Sequence, residues 1–425
     1  VTGVQTCALP ILMIFMMNNN LNFLALAALI NGTCFSMILP LLAPLTRQLH
    51  LSEFQGGVIV SAGAICMAIA SIWIAKRKSQ LSPNQLVNYG FWGMTFTWAI
   101  FTLILYFGTH AILPTLFIFI LLVLSRASTG IFMALPQIGL QSYVMTHASE
   151  AADRSKQMAM FGAMNSFGMI IGPFATSVLL FGGLLFPMWI AVVLLCLVSI
   201  ALGILFSKSP QVQAESFNPQ QDKENARANE PILKQSLIWL TLGFVTYVAI
   251  VTLNMTAGFY IQDKFYLSSQ QSAVYFSQCM LVVGVCLVLT QLFIVKVFKL
   301  KLNSLVIIGL VTMCFGLLLS LYAPTIFVFQ ASYIFYGISM ACLLPAFTTG
   351  AAQAVSQQSQ VKMASFCTAT QALGLIVGPL LSTFLYRFNT HFPFYLLLFL
   401  TLSIGLYFSW MLIRKEAETA LLLDE

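Results

Sequence analysis

Gly168-Met169-Ile170-Ile171-Gly172-Pro173 and Gly374-Leu375-Ile376-Val377-Gly378-Pro379 are one phrase written twice, 206 residues apart, each inside an uncharged apolar run. The offset is close to half of the 425 residues, so the chain reads as two copies of one membrane-spanning unit. The register continues outward from the phrase. Lys156 pairs with Lys362, Ala163 with Ala369, Asn165 with Gln371, and Thr176-Ser177 with Ser382-Thr383. Chance alignment of apolar segments rarely repeats a cation, an amide and two hydroxyls at fixed spacing.

Hydrophobic residues make up 59% of the chain and charged residues 7%, against roughly 25% charged in an average soluble domain. Apolar stretches long enough to cross a hydrocarbon core of about 30 Å as helix recur twelve times, at 21–46, 54–75, 86–107, 114–140, 157–181, 184–206, 237–260, 271–295, 304–323, 325–347, 363–386 and 392–413. The expected fold is an all-α membrane protein of twelve transmembrane helices in two pseudo-symmetric six-helix bundles, 21–206 and 237–413. Residues 207–236, with Pro210, Pro219, Pro231 and many Gln, Asn and charged side chains, have too little apolar surface to bury and read as a solvated linker. Residues 414–425 form a tail and 1–20 an N-terminal segment. Within the latter, 1–11 lack an initial Met and resemble a translated sequencing-adapter fragment, so a start at Met13, Met16 or Met17 is expected. The apolar run from Ala8 to Met17 is too short to span, and no basic residue precedes it as in a secretory signal.

Lys and Arg near span ends are retained in the cytoplasm. With the N-terminus inside, the inner segments hold fifteen basic residues, among them Lys76, Arg77, Lys78, Lys296, Lys299 and Lys301, while the outer loops hold Arg47, Lys264 and Arg387. Both termini are therefore expected in the cytoplasm, with the chain a multi-pass protein of the inner (cytoplasmic) membrane. The net charge of +7 is topological and makes no case for nucleic acid. Eight of nine cysteines lie in the spans without a Cys-x-x-Cys pair, which gives no metal or disulfide signal. Ser52 with Gln55 and Ser268 with Gln271 have the spacing of capping boxes at the outer starts of spans two and eight.

Twelve spans as six plus six, a long central loop, and Gly-x-x-x-Gly-Pro in spans five and eleven together resemble the major facilitator superfamily, over residues 21–413. In its exporter branch the span-five motif is gxxxGPxxGG. Here Gly168, Gly172 and Pro173 match, with Gly374, Gly378 and Pro379 as their second-half copies, while Thr176 and Ser177 replace the final glycines. Arg126-Ala-Ser-Thr-Gly130 matches the family's Arg-x-x-x-Gly in span four. The loop between spans two and three should carry Gly-x-x-x-Asp-Arg-x-Gly-Arg-Lys. This chain has Ser71-Ile-Trp-Ile-Ala75-Lys76-Arg77-Lys78, keeping cations and losing the glycines and the aspartate.

The resemblance implies secondary active transport by alternating access, with substrate bound near mid-depth between the halves. Polar candidates for that path are Asn31, Arg126, Gln137, Asn165, Tyr247, Asn254, Gln278, Tyr336 and Gln371, and each single amide or tyrosine is equally suited to an interhelical hydrogen bond. Arg126 lies about 18 Å into its span at 1.5 Å per residue, where an ionisable group is a functional hypothesis by default. All twelve acidic residues and all four histidines fall in loops, span ends or the tail. Coupling candidates are therefore Arg126 and the carboxylates nearest the outer openings, Glu53 and Asp263. A cavity with an arginine and no carboxylate favours an anionic or zwitterionic cargo such as a siderophore or organic anion. Multidrug efflux is the alternative, suited by aromatic and Met-rich spans, and nutrient symport ranks below both. Protons are the expected coupling ion by resemblance. The expected protein is a lipid-embedded monomer that needs no cofactor. No His-Glu-x-x-His and no phosphate-binding Gly loop followed by Lys-Ser/Thr is present, which argues against an enzyme.

Overall fold

The computed structural model describes residues 19–76, 82–110, 114–147, 151–205, 219–294, 301–355 and 360–421. The readings placed on residues 1–18, on Arg77 and Lys78, on Lys296 and Lys299, on the linker up to 218 and on the last four residues lie outside these. The described residues form twelve helical spans. Span one is split into Asn19–Met37 and Leu39–Gln48; the rest are span two (Glu53–Lys76), three (Pro83–Thr109), four (Thr115–His147), five (Ala151–Leu179), six (Phe186–Leu205), seven (Pro219–Phe265), eight (Ser269–Phe293), nine (Leu302–Tyr322), ten (Ile326–Gln353), eleven (Gln360–Phe388) and twelve (Phe392–Leu421). Eleven are long and apolar enough to cross a membrane, and span five contributes a shorter apolar stretch, Phe167–Gly182. Helix dominates because a lipid-facing backbone has no water to bond and must satisfy its own amides.

The pairings recur six spans later, which is the two-fold relation in structural form. Spans one and five, two and four, three and four, and three and six pack together, as do seven and eleven, eight and ten, nine and ten, and nine and twelve. Between the halves, span two packs on eleven and span five on eight. Both capping boxes form, with Gln55 N–H donating to Ser52 Oγ at 3.2 Å and Gln271 N–H to Ser268 Oγ at 3.3 Å. A third, Ser82 with Gln85 at 3.3 Å, starts span three. Span seven begins within the expected linker, at Pro219, a residue pre-set for a first helical position because its missing N–H has no intrahelical role there.

Without a hydrophobic force between helices in lipid, close packing depends on small residues. A Cβ added at Gly168 would meet the Leu29 carbonyl, and one at Gly172 the Ser36 hydroxyl and the Thr33 carbonyl. Span five therefore lies on the bare backbone of span one. Thr176 makes use of the break in that partner helix. Pro40 has no N–H, the Leu41 N–H turns to Ile38 O at 2.9 Å, and the Met37 carbonyl accepts from Thr176 Oγ1 at 2.8 Å. Spans two and four cross the same way, a Cβ at Gly130 meeting the Gly63 carbonyl, so the glycine of Arg126-x-x-x-Gly130 is a packing requirement. In the second half the notch is filled by side chains. A Cβ at Gly374 would lie 2.6 Å from Tyr247 Cβ, and one at Gly378 3.0 Å from Val251 Cβ.

Candidate functional site

The face opposite the linker, called the far face below, is where the halves are fastened. Arg47 ends span one and aims its planar fork across the interface, Nη1 to Asp263 Oδ1 at 2.6 Å and Nη2 to Asp263 Oδ2 at 2.7 Å. Nη2 also reaches Glu53 Oε1 at 3.3 Å. Tyr386, at the end of span eleven, donates its hydroxyl to Asp263 Oδ2 at 2.6 Å, and the guanidinium lies over the Phe259 ring at 5.5 Å. The Arg47 and Asp263 side chains are 29% and 33% exposed. Water screens such a pair to about 0–1 kcal/mol, with the two-pronged geometry favouring the upper end.

Below this cluster the halves stay in contact to mid-depth. Gly57 abuts Thr383 and the Pro379 carbonyl, 2.8 Å from its would-be Cβ, and Gly258 has Ala43 Cβ at 2.7 Å. Phe54 and Phe384 meet edge-on at 6.1 Å, Ser61 Oγ donates to Ile376 O at 3.0 Å, and Gln270 Nε2 to Leu180 O at 3.5 Å. These contacts between the halves lie from mid-depth to the far face. The halves are therefore joined at the far face.

The sequence candidates separate into three environments. Asn31 and Asn165, half-buried at mid-depth on spans one and five, are brought together, Nδ2 to Oδ1 at 3.5 Å. On span seven, Tyr247 is half-buried with its ring edge-on to Phe347 at 6.4 Å, and Asn254 Oδ1 is buried without a hydrogen-bond partner. Gln371 and Gln137 are exposed on spans eleven and four. Of these six, Asn31 and Asn165 are the pair joined by a side-chain hydrogen bond.

Arg126 lies inside the first bundle, 4% exposed. Its guanidinium faces Phe35 at 5.8 Å, Trp98 at 5.5 Å and Phe101 at 5.6 Å, while Nε has no hydrogen-bond partner. Such an aromatic cage favours the charge through the ring quadrupoles without neutralising it. Among the described residues no carboxylate is paired with it. Tyr336 is fully buried inside the second bundle, its hydroxyl 2.7 Å from Ser320 Oγ. Gln278 is exposed near the far face, accepting from Gln330 Nε2 of span ten at 2.8 Å. Both of these bind neighbouring helices, the second of the two roles open to them from sequence. Arg47, Tyr386 and Lys264 lie at the far face without belonging to the sequence candidates, and the only signal for them is that Arg47 and Lys264 are two of the three basic residues in the far loops, each close to an acid.

Comparison with known proteins agrees with this geometry. The family model described as Major Facilitator Superfamily matches residues 24–305 and 299–424. "Multidrug resistance protein 2" of Bacillus subtilis (strain 168) is 23% identical over 393 residues, covering 90% of this chain and 92% of that protein. A bacterial homolog of the human lysosomal transporter Spinster, solved in an inward-facing and unoccupied conformation, superposes with a TM-score of 0.67 at 15% identity, covering 92% of this chain and 94% of that one. A D-xylose-proton symporter superposes with the same TM-score of 0.67 at 15% identity, covering 91% and 96%.

Proposed function

The chain belongs to the major facilitator superfamily, and from that premise we propose that it exports a small organic molecule across the cytoplasmic membrane by alternating access. In this reading the linker face is cytoplasmic, as the placement of basic residues favours. Cargo enters there and binds at mid-depth among Asn31, Asn165, Tyr247, Asn254 and Gln371. It leaves when the far-face cluster parts. The observation that carries the reading is the fastening of the two halves to each other at the far side by Arg47 and Asp263. Rocking about mid-depth exchanges which face is open.

Protons drive the exchange in this proposal. A proton on Asp263 removes the negative charge that Arg47 binds and so couples proton uptake to opening, with Glu53 as the neighbouring carboxylate. Direction rests on the exporter-like Gly168-x-x-x-Gly172-Pro173 motif and on the kinship with the Bacillus subtilis protein. Arg126, inside the first bundle with no carboxylate paired to it among the described residues, adds positive potential that favours anionic or zwitterionic cargo such as a siderophore or organic anion. That kinship equally favours a second reading, multidrug efflux.

The deciding experiment is transport in proteoliposomes with and without a pH gradient, across anionic chelators and cationic dyes. Export of the anions that depends on the gradient and is lost in Arg126→Ala supports the first reading. Dyes carried equally well, with Arg126→Ala still moving anions, would replace it by the second. Gradient-driven inward accumulation of a sugar or organic acid in right-side-out vesicles would overturn export altogether.

A further inference from the structure

Asp263 has a neighbour with a separate network. Lys264 Nζ donates to Leu321 O at 2.8 Å, to Ser320 O at 3.1 Å and to Tyr260 Oη at 3.2 Å, which uses all three ammonium hydrogens. The two carbonyls belong to the last turn of span nine, where backbone acceptors lack intrahelical partners and a cation is favoured. Tyr260 is buried against Phe394 at 4.7 Å and Phe329 at 5.6 Å, so its hydroxyl has few directions to turn. Its oxygen accepts from Lys264, and its own hydrogen is left for His391 Nδ1, 3.1 Å away. With the hydroxyl as donor, Nδ1 is the acceptor and the imidazole is neutral.

His391 lies in the connection between spans eleven and twelve, outside the membrane-crossing segments. The groups facing it are Tyr260 and Lys264 from span seven and Tyr395 from span twelve, whose ring is 6.3 Å away. The Asn389 side chain accepts from its backbone N–H at 2.8 Å. No carboxylate is paired with it among the described residues.

We propose that His391 is a proton-binding site on the far face, and that its protonation releases Lys264 from span nine and thereby loosens the end of span seven that carries Asp263. A proton from solvent bonds to Nδ1. The imidazolium then has no lone pair for the Tyr260 hydroxyl, and a second positive charge stands beside Lys264. Burial and the charge of Lys264 hold the imidazole below its ordinary value of 6.5. The closed arrangement is thus fully favoured above that value and weakens as pH falls through it, because the released form binds the proton more tightly. The link to opening rests on the far-face cluster being the gate; the protonation site itself does not.

Hydrogen–deuterium exchange on the full chain in proteoliposomes, compared at about pH 7.5 and about pH 5.5 after correction for intrinsic rates, tests both parts. In the parent protein, protection over residues 316–323 and 45–53 should fall severalfold in acid, the direction set by tighter proton binding in the released form. His391→Gln, neutral at both values and still able to accept from Tyr260, should lose that pH dependence, and His391→Lys should be unprotected at both. The same acid-induced loss in His391→Gln as in the parent would overturn the proposal. Arg47→Ala separates the two layers. It should expose 45–53 at either pH and keep the acid response at 316–323. If 45–53 stays protected in that variant while 316–323 responds to acid, the gate reading fails and the proton site stands.

Discussion

The two Gly-x-x-x-Gly-Pro phrases are near copies in sequence, and the helices they contact meet them differently. In the first half the glycines of span five rest on span one's own backbone, with the carbonyls of Leu29 and Thr33 where a Cβ would go. In the second half Tyr247 and Val251 reach into the notch from span seven. The motif specifies a concave helix surface, and the partner decides whether that surface is filled by main chain or side chain. A main-chain contact cannot yield without moving a whole helix, whereas a side chain leaves room for adjustment. The first bundle is thereby rigid where the second is adaptable.

Substitutions can break this contrast. Gly172→Ala and Gly168→Ala should cost about 3 kcal/mol, the upper range for overpacking, read as lost resistance to unfolding in mixed micelles. If Gly172→Ala is no worse than Gly378→Ala, the contrast is wrong. Gly374→Ala should cost about 2 kcal/mol and be relieved by Tyr247→Gly but not by Tyr247→Ala, because the close atom is Cβ. Gly378→Ala, at 3.0 Å from Val251 Cβ, should cost about 1 kcal/mol. Smallest are the amides one turn away. Asn165→Leu, which removes the acceptor of Asn31, should lose about 0.6 kcal/mol, the usual worth of an interhelical bond in lipid, while exposed Gln371→Leu should leave stability unchanged and raise the KM for transport.

How much of this was legible follows from how local each signal is. The spans and the Ser52 and Ser268 caps are set by neighbours within a few residues, and both caps form as the spacing predicts. Helix rotation is another matter. A membrane helix that is apolar on every side gives no periodic cue to which face is inward, so Tyr336 was equally eligible for the path and for the bundle interior, where it lies. Gln278 was open in the same way. The Arg47 to Asp263 fastening joins residues 216 apart, and only the folding of two bundles against each other brings them together. The depth of Arg126 in its span marks it from sequence as an intramembrane charge on the path, but the structure cages it inside the first bundle with Trp98 and Phe101 from span three and Phe35 from span one, a grouping no spacing rule contains.

The interruption at Ile38 gives span one a divided allegiance. Its lower piece, Asn19–Met37, lies along spans five and six of its own bundle, while its upper piece, Leu39–Gln48, keeps more company with spans seven and eight of the other. When the halves part, one polypeptide must serve both partners, and the joint where Pro40 contributes no amide is where it can flex without giving up a main-chain bond. In the proposed rocking, span one would work as a crank: its shaft turns with the first bundle, and its short arm, ending in Arg47, either travels with the second bundle or lets go of it. A proline shifted a turn in either direction would change which of those two happens first.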